Sequence, residues 1–458
     1  MSKDEIYDVI VVGAGVAGLY ASYQLASMGW KVALVESKPA SKIGDRVCGD
    51  AIGIHHFEEL SLQVPSYVID HRYKGVKIYS PSCKYNIVVP GEGVSINRLK
   101  FGQWLLSQAL SKNVELFDQH VVLDVMLKDN NVTGIKVKRV NGETHIIKAK
   151  AFIDASGYKP AIRSKLPREW PISEKPYTTD YNIAYREVLK LDEPLEEVEY
   201  AEIYINVDIA PGGYWWLFPK SSSGEIINVG LGVINTGQYN PRVQYDKYLR
   251  NKFKGKVLNS GGGIVPTRRP LPTLVWRNVA VVGDAAYTVN PVHGGGIGSS
   301  LLSSHIVSKY MNSALEAGQV NEQTMWQANF DYMNAYGGKQ ASLDVLRMYM
   351  QKLSNDDYEW MMENKVVDGS SIYDLGVKGD LAEKITLAIS LLIKLLGRPS
   401  LLNELRTVRN YMNKMRELYT TRYPSKPEEL PAWMRTIDQL LLEYTYKIGF
   451  NRGNLVKW

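Results

Sequence analysis

The chain has 458 residues, 45% hydrophobic and 22% charged, with 54 Lys and Arg against 48 Asp and Glu. At roughly 100–200 residues per domain it holds two or three packed units, and near-average apolar and charged fractions exclude disorder, collagen-like repeats and coiled coil. A net charge of +6 suits contact with anionic small molecules or a lipid surface and is far from the clustered basic footprint of a nucleic-acid binder.

Two cysteines, Cys48 and Cys83, are too few for a disulfide scaffold and predict a reducing compartment. The charged opening leads straight into a strand, so no signal peptide is expected. Uncharged stretches fall short of the ~20 residues a spanning helix needs, which predicts a protein that is soluble or at most rests on a membrane. Tyr (29) and Trp (10) outnumber Phe (8), and such rings suit apolar walls with a wet edge.

In chain order, Tyr7–Val12 reads as a strand buried on both faces, Gly13-Ala14-Gly15-Val16-Ala17-Gly18 as the turn into a helix that Gly29 stops, and Lys31–Glu36 as a second strand. Gly13 permits the tight turn, Gly15 lets a pyrophosphate approach the backbone, and Gly18 lets the helix pack close to the strand. The helix N-terminus offers unpaired N–H groups to phosphates. Glu36 is placed to bond ribose hydroxyls and would repel the extra phosphate of NADP. This unit suits NAD or FAD.

Residues 70–97 read as polar strands, Arg98–Ser111 as a helix, and Val114–Phe117 and Val121–Met126 as strands. Hairpin turns follow at Asn130-Asn131 and Asn141-Gly142. The strand Ala151–Asp154 ends on small residues. Residues 180–265 predict an antiparallel sheet, Val279–Val282 a buried strand stopped by Gly283-Asp284, and residues from Ser299 onward are mainly helical. Within this last part the apolar run 385–396 predicts a buried or lipid-facing helix, followed by basic Arg406, Arg409, Lys414 and Arg416.

The Gly283-Asp284 strand end and the glycine-rich run after it resemble the second fingerprint of two-domain flavoproteins, and Asp154-Ala155-Ser156-Gly157 resembles the third. This resemblance implies FAD, with the Asp284 carboxylate on the ribityl chain. No second glycine-rich βαβ unit lies between residues 100 and 280, so electrons are expected from an external donor.

Two stretches narrow the resemblance. Tyr214-Trp215-Trp216-Leu217-Phe218-Pro219-Lys220 matches the Tyr-x-Trp-x-Phe-Pro-Lys motif of archaeal geranylgeranyl reductases, and Arg46-Val47-Cys48-Gly49-Asp50 is similar to their Cys-Gly segment near the flavin. The family's preceding proline is Val47 here. Asn290–Gly296 also reads like these enzymes, the digeranylgeranylglycerophospholipid reductase family of FAD-dependent oxidoreductases.

The resemblance implies FAD contacts at Ala17, Glu36, Cys48, Gly49, Arg98, Val122, Asp284, Gly296 and Ile297, beside Gly13, Gly15 and Gly18. It implies an α/β (α+β overall) fold with three parts. These are a discontinuous Rossmann-type FAD-binding domain (1–75, 98–175, 271–330), an antiparallel-sheet prenyl domain (76–97, 176–270) and a helical C-terminal domain (331–458). The implied activity is hydrogenation of geranylgeranyl C=C bonds in archaeal ether-lipid synthesis, on geranylgeranyl diphosphate or on digeranylgeranylglycerol phosphate or phospholipid. The alternatives are a monooxygenase or halogenase of the same fold and a non-catalytic flavin-containing prenyl-lipid binding protein.

An isolated prenyl double bond offers nothing to hydrogen-bond, so recognition calls for an apolar tunnel with one polar end. Tyr214, Trp216 and Phe218 alternate on one strand face and can line such a wall, or form the core of the sheet. Cys48 can serve as the acid or pack on the flavin through its backbone. His293 can bond flavin or substrate, or shape its loop. Arg268 and Arg269 suit a phosphate head, or stand solvated at a strand edge, and Lys220 has the same two readings. No metal site and no nucleic-acid partner are expected. The expected location is cytoplasmic, with room for peripheral contact at the inner membrane face.

Overall fold

A computed structural model describes residues 6–366, 368–373 and 398–456. The run 385–396, expected as a helix, lies outside these residues. Among the described residues the architecture is two eight-stranded sheets between which the chain passes four times. Strands β1 (Ile6–Val12) and β2 (Val32–Val35) open the first sheet, and β3 (Ala51–Gly53), β4 (Ile69–Tyr79) and β5 (Asn86–Ile96) open the second. The chain returns to the first with β6 (Glu115–Phe117), β7 (His120–Lys128), β8 (Asn131–Arg139) and β9 (Thr144–Asp154). It then builds β10 (Tyr181–Leu191), β11 (Tyr200–Tyr204), β12 (Tyr214–Pro219), β13 (Ile226–Ile234) and β14 (Gly255–Pro266) into the second. Finally β15 (Val275–Trp276) and β16 (Val279–Val281) close the first.

The first sheet runs β15-β16-β9-β1-β2-β6, parallel from β16 to β6. Its Val- and Ile-rich strands are buried on both faces, as covered parallel strands must be. Helix α1 (Val16–Ser27) packs on β1 and β2, α3 (Arg98–Leu110) and α5 (Ile297–Glu316) each pack on α1, and the four-residue α2 (His55–Glu58) touches α5. Asn97 caps α3 by accepting the Lys100 N–H (3.1 Å). The hairpin turn between β7 and β8 centres on Asp129 and Asn130, both at positive φ (49° and 57°). It thus lies one residue before the Asn130-Asn131 pair expected from the sequence.

The second sheet runs β14-β10-β13-β12-β11-β4-β5-β3. It is mixed rather than wholly antiparallel, because β4 and β11 pair in parallel. It also begins earlier than expected: residue 76 falls inside β4, and β3 starts the sheet at residue 51. Helix α4 (Pro241–Tyr248) covers one face through β10 and β13. After α6 (Trp326–Tyr332) a five-residue π turn, Met333–Gly337, leads into α7 (Gly338–Met350) and α8 (Asn355–Glu363). The helix Pro399–Tyr419, which carries Arg406, Arg409, Lys414 and Arg416, packs on α7. Among the described residues no helix is long and apolar enough to cross a membrane.

Candidate active site

Register decides where the first half of the site forms. Val12 stands opposite both Val35 and Asp154, and Asp154 opposite Val281. Four parallel strands therefore end along one edge, which brings together the Gly13 turn, Glu36, the Asp154–Gly157 turn and Gly283-Asp284. Gly13 has φ +102°, and a Cβ there would fall 2.5 Å from the Ala155 carbonyl oxygen. One on Gly18 would fall 1.8 Å from the Gly13 oxygen, so only glycine lets α1 start this close. At Gly15 the nearest group would be the Arg46 guanidinium at 3.8 Å, leaving the backbone open to a ligand. Helix α1 has no side-chain cap and no acidic residue in its first turn. Its amide groups and dipole suit an anion.

The Glu36 carboxylate accepts the Ala14 N–H (2.7 Å) and the Lys38 N–H (2.9 Å), which ties the end of β2 to the glycine turn. Asp154 is fully buried, with its oxygens taken by Ser156, Ile162 and Arg163, so it holds its own turn. On the facing side Gly283 (φ +62°) lets α1 and α5 meet, since a Cβ there would lie 2.9 Å from that of Ala17. Ala17 also accepts the Ser304 hydroxyl (2.9 Å). Asp284 lies beside Gly296, where a Cβ would stand 3.3 Å from Oδ1. Burial raises the Asp284 carboxyl above its usual range against the pull of Arg46 and Arg98. The Arg98 Nε and Nη1 atoms are buried without a hydrogen-bond partner.

Orphaned guanidinium atoms, an open Gly15, an uncapped α1 and a raised carboxylate around one space fit a dinucleotide with a diphosphate and a polyol chain. Gly296 and Ile297 begin α5 on the same side. Val122 is 8% exposed and sits in the apolar core, so any contact there is through its main chain.

The second sheet meets this edge through the Cys48 loop. Tyr214, Trp216 and Phe218 lie on one face of β12 and pack there with Tyr73 of β4 and Ala201 of β11, while Trp215 and Leu217 pack on the other face. Trp216 stacks on Phe218 (6.1 Å between centroids) and meets Tyr214 edge-on (6.2 Å). Opposite Trp216 stands Gly230, where a Cβ would lie 2.5 Å from the indole. Gly49 rides over Phe218, to which a Cβ would come within 3.1 Å. Val47, in place of the expected proline, lies over Gly261 of β14, whose Cβ would fall 2.6 Å from the valine methyl.

A hydrogen-bond chain fixes this loop to the wall. Trp216 Nε1 donates to Asn228 Oδ1 (3.0 Å), and Asn228 Nδ2 donates to the Cys48 carbonyl (2.8 Å) and to Asp50 Oδ2 (3.2 Å). Asp50 adopts φ +67° and, with Asp70, pairs with Lys220 at 2.9 and 3.1 Å. Lys220 is therefore neutralised inside the sheet and does not wait for a phosphate. Cys48 is half-buried, and its Sγ accepts the Asp50 N–H (3.3 Å). Burial pushes its thiol up despite Arg98.

Arg268 and Arg269 are not phosphate ligands. They are 1% and 5% exposed. Arg268 binds Glu174 and Asp180, and Arg269 binds Glu174 and the Tyr419 hydroxyl. The Arg163 and Arg268 guanidinia cover the Tyr287 ring at 4.5 and 4.7 Å, holding a non-glycine residue at φ +58° just after Asp284. Both arginines belong to the frame behind the site. His293 lies at the end of the aromatic wall: it accepts the Gly295 N–H on Nδ1 (3.1 Å), and its carbonyl accepts the Tyr214 hydroxyl (2.6 Å).

Sequence reasoning missed Arg46, Asp50 and Asn228 as parts of this site. Asn228 carried a signal, a lone amide in the apolar run Ile226–Ile234, and it is fully buried.

The two sheets, the glycine turn and the second aspartate strand define an FAD-dependent oxidoreductase. A family model described as FAD dependent oxidoreductase matches residues 8–158, and one described as geranylgeranyl reductase catalytic domain matches residues 180–265. The digeranylgeranylglycerophospholipid reductase of Sulfolobus acidocaldarius is 40% identical over 454 residues, covering 98% of this chain and 100% of that protein. Its namesake in Methanosarcina acetivorans is 30% identical over 69% of this chain and 78% of its own length. A geranylgeranyl bacteriochlorophyll reductase-like structure from Thermoplasma acidophilum superposes with TM-score 0.72 at 23% identity, covering 88% of this chain and 99% of that one. A myxobacterial chondrochloren halogenase reaches 0.62 at 16%, covering 86% and 97%. The chain belongs to the digeranylgeranylglycerophospholipid reductase family and is an FAD-dependent reductase.

Proposed function

We propose that the protein hydrogenates isolated C=C bonds of geranylgeranyl chains borne on a diphosphate, a glycerol ether phosphate or a phospholipid. The observation that carries this is the Tyr214–Trp216–Phe218 wall, laid against the Cys48-Gly49 loop beside the cofactor edge. Bound FAD, reduced by an external donor, would supply the hydride. The Gly13–Gly18 turn, with Arg46 and Arg98 near it, would hold its diphosphate, and Glu36 would take the ribose hydroxyls.

Hydride arrival at one alkene carbon demands a proton at the other, with positive charge developing between. Trp216 and Phe218 stabilise that charge from their ring faces, a contact worth about 0.5–2 kcal/mol. They also exclude water from the carbon. Cys48 delivers the proton: its burial-raised thiol stays protonated through neutral pH. Asn228 and Asp50 hold the Cys48 backbone in place. We further propose peripheral contact with the membrane that carries the lipid.

Mass spectrometry of geranylgeranyl diphosphate and of the diether phospholipid after incubation with dithionite-reduced enzyme tests this. Mass gains in steps of one hydrogen pair are expected. Hydroxylated or halogenated product with oxygen consumption would move the enzyme to oxygenase chemistry, and unchanged lipid would leave only a binding protein.

A further inference from the structure

Three stretches distant in sequence bring cation-capable side chains together at the far end of the aromatic wall. His55 and His56 lie in α2 with ring centroids 4.1 Å apart. The His56 ring rests on Gly298 so closely that a Cβ there would fall 2.3 Å from it. His293 stands in the loop before α5, its ring fixed by the Gly295 N–H. From the C-terminal part comes the π turn Met333–Gly337, a local irregularity that recurs at functional sites. Its Tyr336 bonds Asn290, the residue whose side-chain oxygen accepts the His293 N–H (3.3 Å), and Lys339 Nζ lies 5.6 Å from the Tyr336 ring.

These groups oppose one another's charge. Burial, with repulsion from His55, His293 and Lys339, holds His56 at about 3. Surrounding protein, with Lys339 and His55, lowers His293 to about 4 although the residue keeps an exposed edge. Burial also lowers Lys339 to about 8, with Glu59 pulling it up and Arg416 pressing it down. The carboxylates acting on the cluster are Glu58 and Glu59, both exposed at the C-terminal end of α2. An anion placed among the rings favours their protonated forms and relieves the repulsion. Tyr214 points the way, since it ends the aromatic wall and its hydroxyl bonds the His293 carbonyl.

We propose that His55, His56, His293 and Lys339 form the receptor for the phosphate or diphosphate head of the substrate, the place first expected at Arg268 and Arg269. The site rests on the prenyl-reductase reading for the identity of its ligand. The wall takes the hydrocarbon, and the cluster takes the charged end, drawing protons onto its imidazoles as the anion enters.

Calorimetric titration of inorganic pyrophosphate into the full-length, FAD-loaded protein tests the site with the dinucleotide position already filled. Saturable binding is expected, with net proton uptake read from two buffers of different ionisation heat. Lys339→Met and His56→Gln should each weaken it at least about tenfold, and Lys339→Arg should restore it. Flavin content verifies that each variant folds. In activity, Lys339→Met should lower the preference for geranylgeranyl diphosphate over geranylgeraniol by a similar factor. No saturable binding by the unaltered protein, unchanged affinity in both variants, or equal loss on both substrates overturns the site. Pyrophosphate binding that responds to the variants, in a protein that leaves every geranylgeranyl lipid unreduced, would instead overturn the reductase reading and leave the anion site standing.

Discussion

Cys48 acts at the scale of one thiol. Its proton must be present for delivery, so the active form lies below the thiol pKa, which burial has moved upward. The single-turnover rate of alkene reduction should therefore stay level through neutral pH and fall as pH rises through that raised value. Cys48→Ser should keep its flavin, lose about 10²-fold in rate and lose the alkaline limb. An unchanged rate would reduce Cys48 to packing. Glu36 serves two ends at once. Glu36→Ala should weaken FAD retention, seen in the flavin absorbance of the purified protein. It should also destabilise the flavin-free form by about 1–3 kcal/mol, because the buried Ala14 N–H loses its acceptor. Gly13 and Gly18 were legible in the sequence because their positions tolerate no Cβ, so residue type and geometry determine each other. The arginines were not: an Arg-Arg pair reads the same whether it meets a ligand or two carboxylates some ninety residues earlier, as Arg268 does with Glu174 and Asp180.

Between elements, that ion network ties β14 to the turn before β10 and, through Tyr419, to a C-terminal helix. Burial alone would raise the Glu174 carboxyl, but Arg268 and Arg269 outweigh it and hold it at about 2, against an ordinary 4.5. A depressed carboxyl stabilises the fold fully above its unfolded value, and that contribution is lost as pH falls from 4.5 through about 2. Glu174→Gln should cost about 3–5 kcal/mol at neutral pH, since it strands buried guanidinia. Its denaturation midpoint should approach that of the unaltered protein in acid, and parallel curves at all pH values would contradict the assignment. The alternation of Tyr214, Trp216 and Phe218 was legible as a strand with two unlike faces. The parallel pairing of β4 with β11 was not, because the partner strand arrives more than a hundred residues later and no turn announces it. Trp216→Ala should cut activity on geranylgeranyl chains by at least tenfold while flavin content changes little, since the indole bonds Asn228 and lines the wall, and its own loss leaves the glycine turn intact.

Across the whole molecule, the order in which strands join matters as much as where they lie. The first sheet accepts β16 only after the entire second sheet has been made, and Asp284 and Gly296 follow β16 directly. The cofactor's surroundings are thus divided between the first hundred residues and the stretch near residue 290. A chain ending at residue 270 should carry no flavin, whereas one extended through α5 should begin to; flavin fluorescence on ribosome-bound chains of stepped length reads this directly, and early colour would refute it. Contacts so distant in sequence form late and slowly. The four crossings between sheets therefore make cofactor capture a checkpoint on synthesis: a chain stalled or clipped before α5 stays colourless, and yellow marks only those that have passed it.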